Sequence, residues 1–168
     1  MKRRPYKVLF VCTGNLCRSP MAQGLLTRLL VEYGVKNIRA DSAGTHASTG
    51  LAPTDEAMAI AHAHGIDLTG IRSKPVTAEL VQNADCILAM GEMNRTSVVG
   101  GVPEASGKIH LLKSFDRHPA VSGSQADIPD PMGGDRDAYE TCFLTLHQEI
   151  ERIFPLLIKH ARESRSHA

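Results

Sequence analysis

The chain has 168 residues, 42% of them apolar and 22% charged, with 19 Lys+Arg against 18 Asp+Glu for a formal net charge of +1. That length and apolar share suit one compact domain, expected over residues 1–161, with 162–168 (Arg-Glu-Ser-Arg-Ser-His-Ala) as a frayed tail that can bury nothing. The balanced charge gives no reason to expect nucleic acid or a membrane surface as partner, and no run approaches the ~18 apolar residues of a membrane span.

The basic start, Met1-Lys2-Arg3-Arg4-Pro5, precedes an apolar stretch too short for a secretion signal, so a cytoplasmic, reducing location is expected. Lys7–Val11 reads as a strand, and Pro20–Glu32 as a helix with Leu25, Leu29 and Leu30 on one face. Pro20 suits a first turn, where its missing N–H is not needed. A strand is expected at Ile38–Ser42, then a helix at Thr54–His64 stopped by Gly65. A helix at Thr77–Asn83 leads into a strand at Asp85–Met90, and another helix starts near Glu92. A fourth strand at Lys108–Leu112 and a long helix at Asp135–Ala161 complete the pattern. Strand and helix in alternation predict an α/β fold: a three-layer sandwich whose four-stranded parallel sheet carries helices on both faces. Ligands of such sheets sit beyond the carboxyl ends of the strands. The segment Lys113–Gly134, rich in Pro, Gly, Asp and Ser, lies at that edge and is too long to be a mere connector.

At the end of the first strand stands "VCTGNLCRSP", residues 11–20, which holds two of the chain's four cysteines. A strand, a tight loop and a helix aim several N–H groups and the positive end of the helix dipole at one point, where an anion fits. Gly14 and Asn15 are the residue types that most easily take the left-handed backbone angles such a nest requires. Arg18 adds a planar two-pronged donor for oxygen pairs, which makes phosphate the natural guest. A thiol at a helix N-terminus beside a guanidinium is biased toward the thiolate, which makes Cys12 a nucleophile. Attack on phosphorus would give a cysteinyl-phosphate for water to hydrolyse, and the Ser19 hydroxyl can donate to the sulfur. Metal binding by Cys12 and Cys17 has no second Cys/His pair at zinc-like spacing, so no metal or other cofactor is expected. Cys86 and Cys142 read as small buried hydrophobes. His62 and His64 read as surface or helix-end residues. Gly101–Lys108 has one residue too many between its glycines for a nucleotide loop, and Ile109 stands where a Ser or Thr would bind magnesium.

"VCTGNLCRSPMA" resembles the signature of the low-molecular-weight protein tyrosine phosphatases, and the similarity extends over nearly the whole chain through "DSAGTHA" (41–47), "HGIDLTG" (64–70), "ADCILAM" (84–90) and "DPMGG" (130–134). The resemblance implies a phosphatase with Cys12 as nucleophile, Arg18 as phosphate clamp, and Thr13, Gly14, Asn15, Leu16, Cys17 and Ser19 in the phosphate-binding loop. It also implies that Asn15 and Ser42 brace that loop. Ile71 stands where the family often has a further bracing histidine. Cys17, by the same resemblance, can trap an oxidised Cys12 as a reversible disulfide.

Phosphoryl transfer to a thiolate expels an alkoxide or phenolate, so a positioned acid is required. Asp116, Asp127, Asp130, Asp135 and Asp137 all lie in or just after the long loop. Pro131 holds Asp130 in extended backbone on a stiff turn, and the family's Asp-Pro pair selects the same residue. Asp127 is the fallback, and Asp135 suits a helix N-cap.

Tyrosine-selective members generally wall the pocket with aromatic rings, whereas Ser48–Leu51 and Met132-Gly133-Gly134 occupy those places in a chain without Trp. Met132 offers a softer wall. The family's bacterial protein-arginine phosphatases share the "CTGN" opening and the Gly-Gly, and they resemble this chain in "SKPVTAEL". They carry a threonine where this chain has Leu16. Leucine suits a phenyl ring and leaves a buried guanidinium N–H unpaired, at a cost of about 1 to 3 kcal/mol. Phosphotyrosine is therefore the expected substrate and phosphoarginine the alternative. Arsenate reduction would need two further cysteines after the strand of Cys86, and residues 91–110 contain none. A non-catalytic phosphate-binding module would have no use for Cys12 or Asp130. The partners implied are a phosphorylated protein and inorganic phosphate as product and inhibitor, with the chain as a monomer or weak dimer.

Overall fold

The computed structural model describes residues 3–167; Met1, Lys2 and Ala168, parts of the expected domain start and tail, lie outside the described residues. Four strands, β1 (Tyr6–Cys12), β2 (Ile38–Gly44), β3 (Cys86–Ala89) and β4 (Ile109–Leu111), form one parallel sheet in the order β2-β1-β3-β4. Helices α1 (Arg18–Glu32), α2 (Asp55–Ala63) and α5 (Arg136–Ser166) cover one face; α3 (Ala78–Asn83) and α4 (Glu92–Gly101) cover the other. The fold is the three-layer α/β arrangement that the alternation of elements predicts.

The apolar run of β1 is continuous because both faces are covered. Val8 and Phe10 pack with Leu25 and Leu26 of α1 and with Phe143 and Leu146 of α5. Leu9 and Val11 pack with Val81 of α3 and Val98 of α4. The strand order reverses at β1, whose neighbours are β2 on one side and β3 on the other, and the crevice beyond their carboxyl ends is the usual ligand site of such sheets.

Several boundaries differ from the sequence expectation. β1 and β2 run on through Cys12 and Gly44, which face each other in register, and α1 begins at Arg18, ahead of Pro20. Short 3-10 turns at Pro103–Gly107, Leu112–Ser114 and Gly123–Ala126 have no apolar periodicity to announce them. The tail expected to fray from residue 162 is helical through Ser166: Arg, Glu and Ser continue the backbone ladder with no apolar face to bury, and the Ser164 and Ser166 hydroxyls donate back to the Ala161 and Arg162 carbonyls. Thr54, Thr77 and Asp135 cap α2, α3 and α5 by accepting from the N–H groups of Ala57, Leu80 and Ala138. His64 closes α2 and bridges to α5, with Nε2 2.7 Å from Glu140 Oε1 and its ring stacked on Phe143 at 4.4 Å.

The segment after β4 is fastened to α5. Arg152 donates to the carbonyls of Leu112 and Phe115 at 3.0 and 2.8 Å, and Arg117 and Arg152 both reach the buried Glu149 carboxylate, at 3.0 and 2.7 Å. Farther along, the Ile128 N–H donates to the Met90 carbonyl at 2.8 Å, which hooks the chain onto the end of β3 just before Asp130.

Candidate active site

Residues 13–17 curl between the end of β1 and the first turn of α1. Asn15 takes the left-handed angle, φ 55°. Gly14 does not, so the expectation of two left-handed residues is corrected to one. The Asn15 side chain, wholly buried, fixes that conformation: Nδ2 donates to Ser19 Oγ at 2.8 Å and to Ser42 Oγ at 3.0 Å, and Oδ1 accepts from the Lys74 N–H at 3.0 Å. Ser42 Oγ donates onward to Gln23 Oε1 at 2.6 Å. Ile71 packs against the core as an apolar residue and adds no bond to this network.

A close approach at Gly44 matters equally. A Cβ there would lie 2.4 Å from the Thr13 carbonyl oxygen and 2.9 Å from the Asn15 nitrogen, so only glycine lets β2 support the loop at that distance. The N–H groups of Thr45 and His46 then donate to the Cys12 and Thr13 carbonyls, and the Thr54 N–H donates to the Leu16 carbonyl. The 45–54 segment is thereby fastened along the loop.

Inside this frame Cys12 Sγ lies 2.9 Å from Ser19 Oγ and 3.3 Å from the Asn15 N–H. Arg18, 7% exposed, donates through Nη1 to the Ile128 carbonyl at 3.1 Å, and through Nη2 to Thr13 Oγ1 at 3.4 Å and Asp130 Oδ2 at 3.3 Å. Its Nε is buried without a hydrogen-bond partner among the described residues. A buried guanidinium beside a strand-loop-helix turn of this kind suits an oxyanion, although the Nε atoms of Arg28 and Arg117 are unpartnered in the same way.

Asp130 and Asp127 occupy different places. Asp130, with its side chain 46% exposed, meets Arg18 and accepts from the Met132 N–H at 3.1 Å. Asp127 accepts from the Glu92 N–H at 2.9 Å and so caps α4 from another segment. Leu16 is half-buried, and Met132 stands 48% exposed.

Three contacts have no sequence signal. Asn94 in the first turn of α4, 4% exposed, donates to Thr13 Oγ1 at 3.1 Å across a separation of 81 residues. Cys17 Sγ lies 3.5 Å from Thr54 Oγ1 and 3.4 Å from the Tyr139 hydroxyl. Burial pushes the Cys17 thiol up, and pushes Cys86 and Cys142 up to about 12 each. All four cysteines are free, and among the described residues no group of three or more His, Cys, Asp or Glu side chains is arranged to hold a metal ion.

Residues 7–164 match the family model described as low molecular weight phosphotyrosine protein phosphatase. The chain is 35% identical over 143 residues to a low molecular weight protein-tyrosine-phosphatase of Streptomyces coelicolor, covering 82% of this chain and 84% of the relative. It is 33% identical over 158 residues to the protein-arginine-phosphatase of Bacillus subtilis, covering 94% and 98%. Among solved structures, a YwlE arginine phosphatase mutant with a phosphorylated active-site serine superposes with TM-score 0.84 at 32% identity, covering 93% of this chain and 98% of the other. A low molecular weight protein tyrosine phosphatase from T. tengcongensis gives 0.81 at 34% identity, covering 89% and 98%. The chain belongs to the low molecular weight phosphotyrosine protein phosphatase family.

Proposed function

We propose that this chain is a protein-tyrosine phosphatase that works through a phosphocysteine on Cys12. The observation that carries the reading is the Cys12 sulfur, bonded by Ser19 Oγ and the Asn15 N–H inside the loop and accompanied by the unpartnered Nε of the buried Arg18. In the first step the Cys12 thiolate attacks phosphorus, the bond to the phenolic oxygen breaks, and Asp130 gives that oxygen its proton. Arg18 and the loop N–H groups hold the phosphoryl oxygens, whose charge they match best in the transition state. In the second step Asp130 takes a proton from water, the water oxygen attacks phosphorus, and the S–P bond breaks to release inorganic phosphate and restore the thiolate. Ser19 stabilises the sulfur as nucleophile and as leaving group. Cys17 is the resolving thiol for an oxidised Cys12.

Leu16 supports phosphotyrosine over phosphoarginine, because an apolar side chain suits a phenyl ring and offers no acceptor to a guanidinium. Met132, 48% exposed two residues after Asp130, offers further apolar surface. The second reading, a protein-arginine phosphatase with the same steps, is favoured by the comparable identity to the arginine-phosphatase relatives. A phosphorylated protein is the partner, inorganic phosphate the product and competing ligand, and a monomer or weak dimer the working form. The four free thiols suit a cytosolic location.

The experiment is kcat/KM on phosphotyrosine and phosphoarginine, side by side, for the wild type, Leu16→Thr and Cys12→Ser. We expect the wild type to prefer phosphotyrosine, Leu16→Thr to raise phosphoarginine turnover, and Cys12→Ser to be inactive while still binding vanadate. Wild-type preference for phosphoarginine would establish the second reading, and turnover by Cys12→Ser would overturn the nucleophile.

A further inference from the structure

At the opposite end of the sheet from Cys12, the start of β1, the start of β2 and the end of α5 bring Arg3, Arg4, Lys36, Arg39, Arg162 and Arg165 around one open cavity of about 840 Å³. Tyr6 and Ile38, which pair at this end, lie six positions before Cys12 and Gly44 at the other, a distance of roughly 20 Å along the strands. Six of the chain's 19 cations thus share one concavity on a molecule of net charge +1, which leaves the remaining surface more acidic than basic.

Among the described residues most of these cations have no counter-charge. Arg4 is paired with Asp85 at 2.7 Å, but among the described residues no carboxylate lies within ion-pair distance of Arg3, Lys36, Arg39, Arg162 or Arg165. Arg3 donates to the Arg165 carbonyl, and Arg39 to the carbonyls of Lys36 and Ile38, at 3.2 and 3.0 Å. These bonds aim the guanidinium groups without neutralising them. Arg162 and Arg165 complement the negative end of the α5 dipole, which accounts for two of the six. It leaves Arg3, Lys36 and Arg39, from two other parts of the chain, gathered against mutual repulsion.

We propose that this cavity binds a compact, soluble polyanion bearing several phosphate groups, at a site separate from the Cys12 loop. The volume lies within the range of small-molecule sites, ~300–1,000 Å³, yet the lining is cationic rather than apolar. Five of the six cations are arginines, whose planar forks suit phosphoryl oxygens in pairs. Six cations from three parts of the chain converge on this one site, which suits a compact ligand; a duplex would be met by a stripe. Binding relieves the repulsion among the cations and fastens residues 3–4 and the end of α5 to the start of the sheet. The proposal does not depend on the activity assigned to the Cys12 loop.

The test uses the full chain and inorganic tripolyphosphate. Calorimetric titration at low salt compares the wild type with Lys36→Ser/Arg162→Ser, two exposed positions outside the catalytic machinery, and p-nitrophenyl phosphate turnover checks that the variant is folded. We expect turnover within twofold of wild type, tripolyphosphate binding at least tenfold weaker in the variant, and a larger rise in Tm on tripolyphosphate addition in the wild type than in the variant. Equal binding by both proteins, or binding by the wild type that inorganic phosphate displaces in parallel with its inhibition of turnover, would overturn the separate site. Tighter wild-type binding to a DNA oligonucleotide or to phosphatidylserine vesicles than to tripolyphosphate would overturn the compact ligand.

Discussion

Asp130 and Asp127 are three residues apart and carry the same carboxyl group, yet one reaches Arg18 and the other caps α4. The difference predicts distinct substitution phenotypes. Asp130→Ala should slow phenyl phosphate by ~10²–10⁴-fold and p-nitrophenyl phosphate far less, because nitrophenolate leaves with little protonation. Steady-state kinetics on both esters checks this, and an equal loss on both would remove Asp130 as the acid. That Cys12, Arg18 and Ser19 belong to one loop is legible in the sequence because they lie within eight consecutive residues and each residue type answers a separate requirement of the proposed chemistry. Asn94 is not legible, since its only mark is a hydrogen bond to a residue 81 positions away. Gly14 misleads for a related reason: glycine permits a left-handed angle without requiring it, and Asn15 takes it because four polar partners can be satisfied there at once.

At the scale of elements, the strands are legible wherever apolar runs exceed a few residues, and their ends are not, because register decides them. Asp85 marks one such end. Its carboxylate accepts from Arg4 at 2.7 and 2.8 Å and from the Lys7 N–H at 2.8 Å, which clamps the start of β1 to the start of β3. Burial alone would raise this carboxyl, but the Arg4 and Lys7 bonds outweigh it and leave its pKa below the ordinary 3.8. A pKa depressed by folding contributes stability above the unfolded value of ~3.9, and that contribution is lost as pH falls through the folded value. Asp85→Asn should therefore unfold at lower urea than wild type at pH 6, with the gap closing below about pH 4. A constant gap across that range would show that the clamp owes nothing to charge.

Over the whole molecule, the long connection between β4 and α5 is held at both ends, by the Arg117–Glu149–Arg152 cluster and by the Ile128 N–H on the Met90 carbonyl. Glu149 is buried and serves both arginines, so Glu149→Ala should cost about 3 kcal/mol, read as a lower urea midpoint. Composition alone suggests a loose loop there, since the fastening side chains come from α5, beyond the reach of any local pattern. Glu149→Ala should also lower kcat on phenyl phosphate more than on p-nitrophenyl phosphate, because the segment that loosens is the one carrying Asp130.

The contact between Arg18 and Asp130 sets a tethered carboxyl group beside the donors that the proposed mechanism assigns to phosphate. A carboxylate 3.3 Å from the guanidinium occupies one of the donors a phosphate would use, and because it is tethered by the chain its effective concentration does not dilute. On the proposed mechanism a substrate phosphate must draw Arg18 away from Asp130, and the freed carboxylate must take up a proton before it can serve as acid at the leaving oxygen. Removing that charge in Asp130→Asn should therefore tighten inorganic phosphate binding even as it slows the reaction, and phosphate inhibition of turnover checks it.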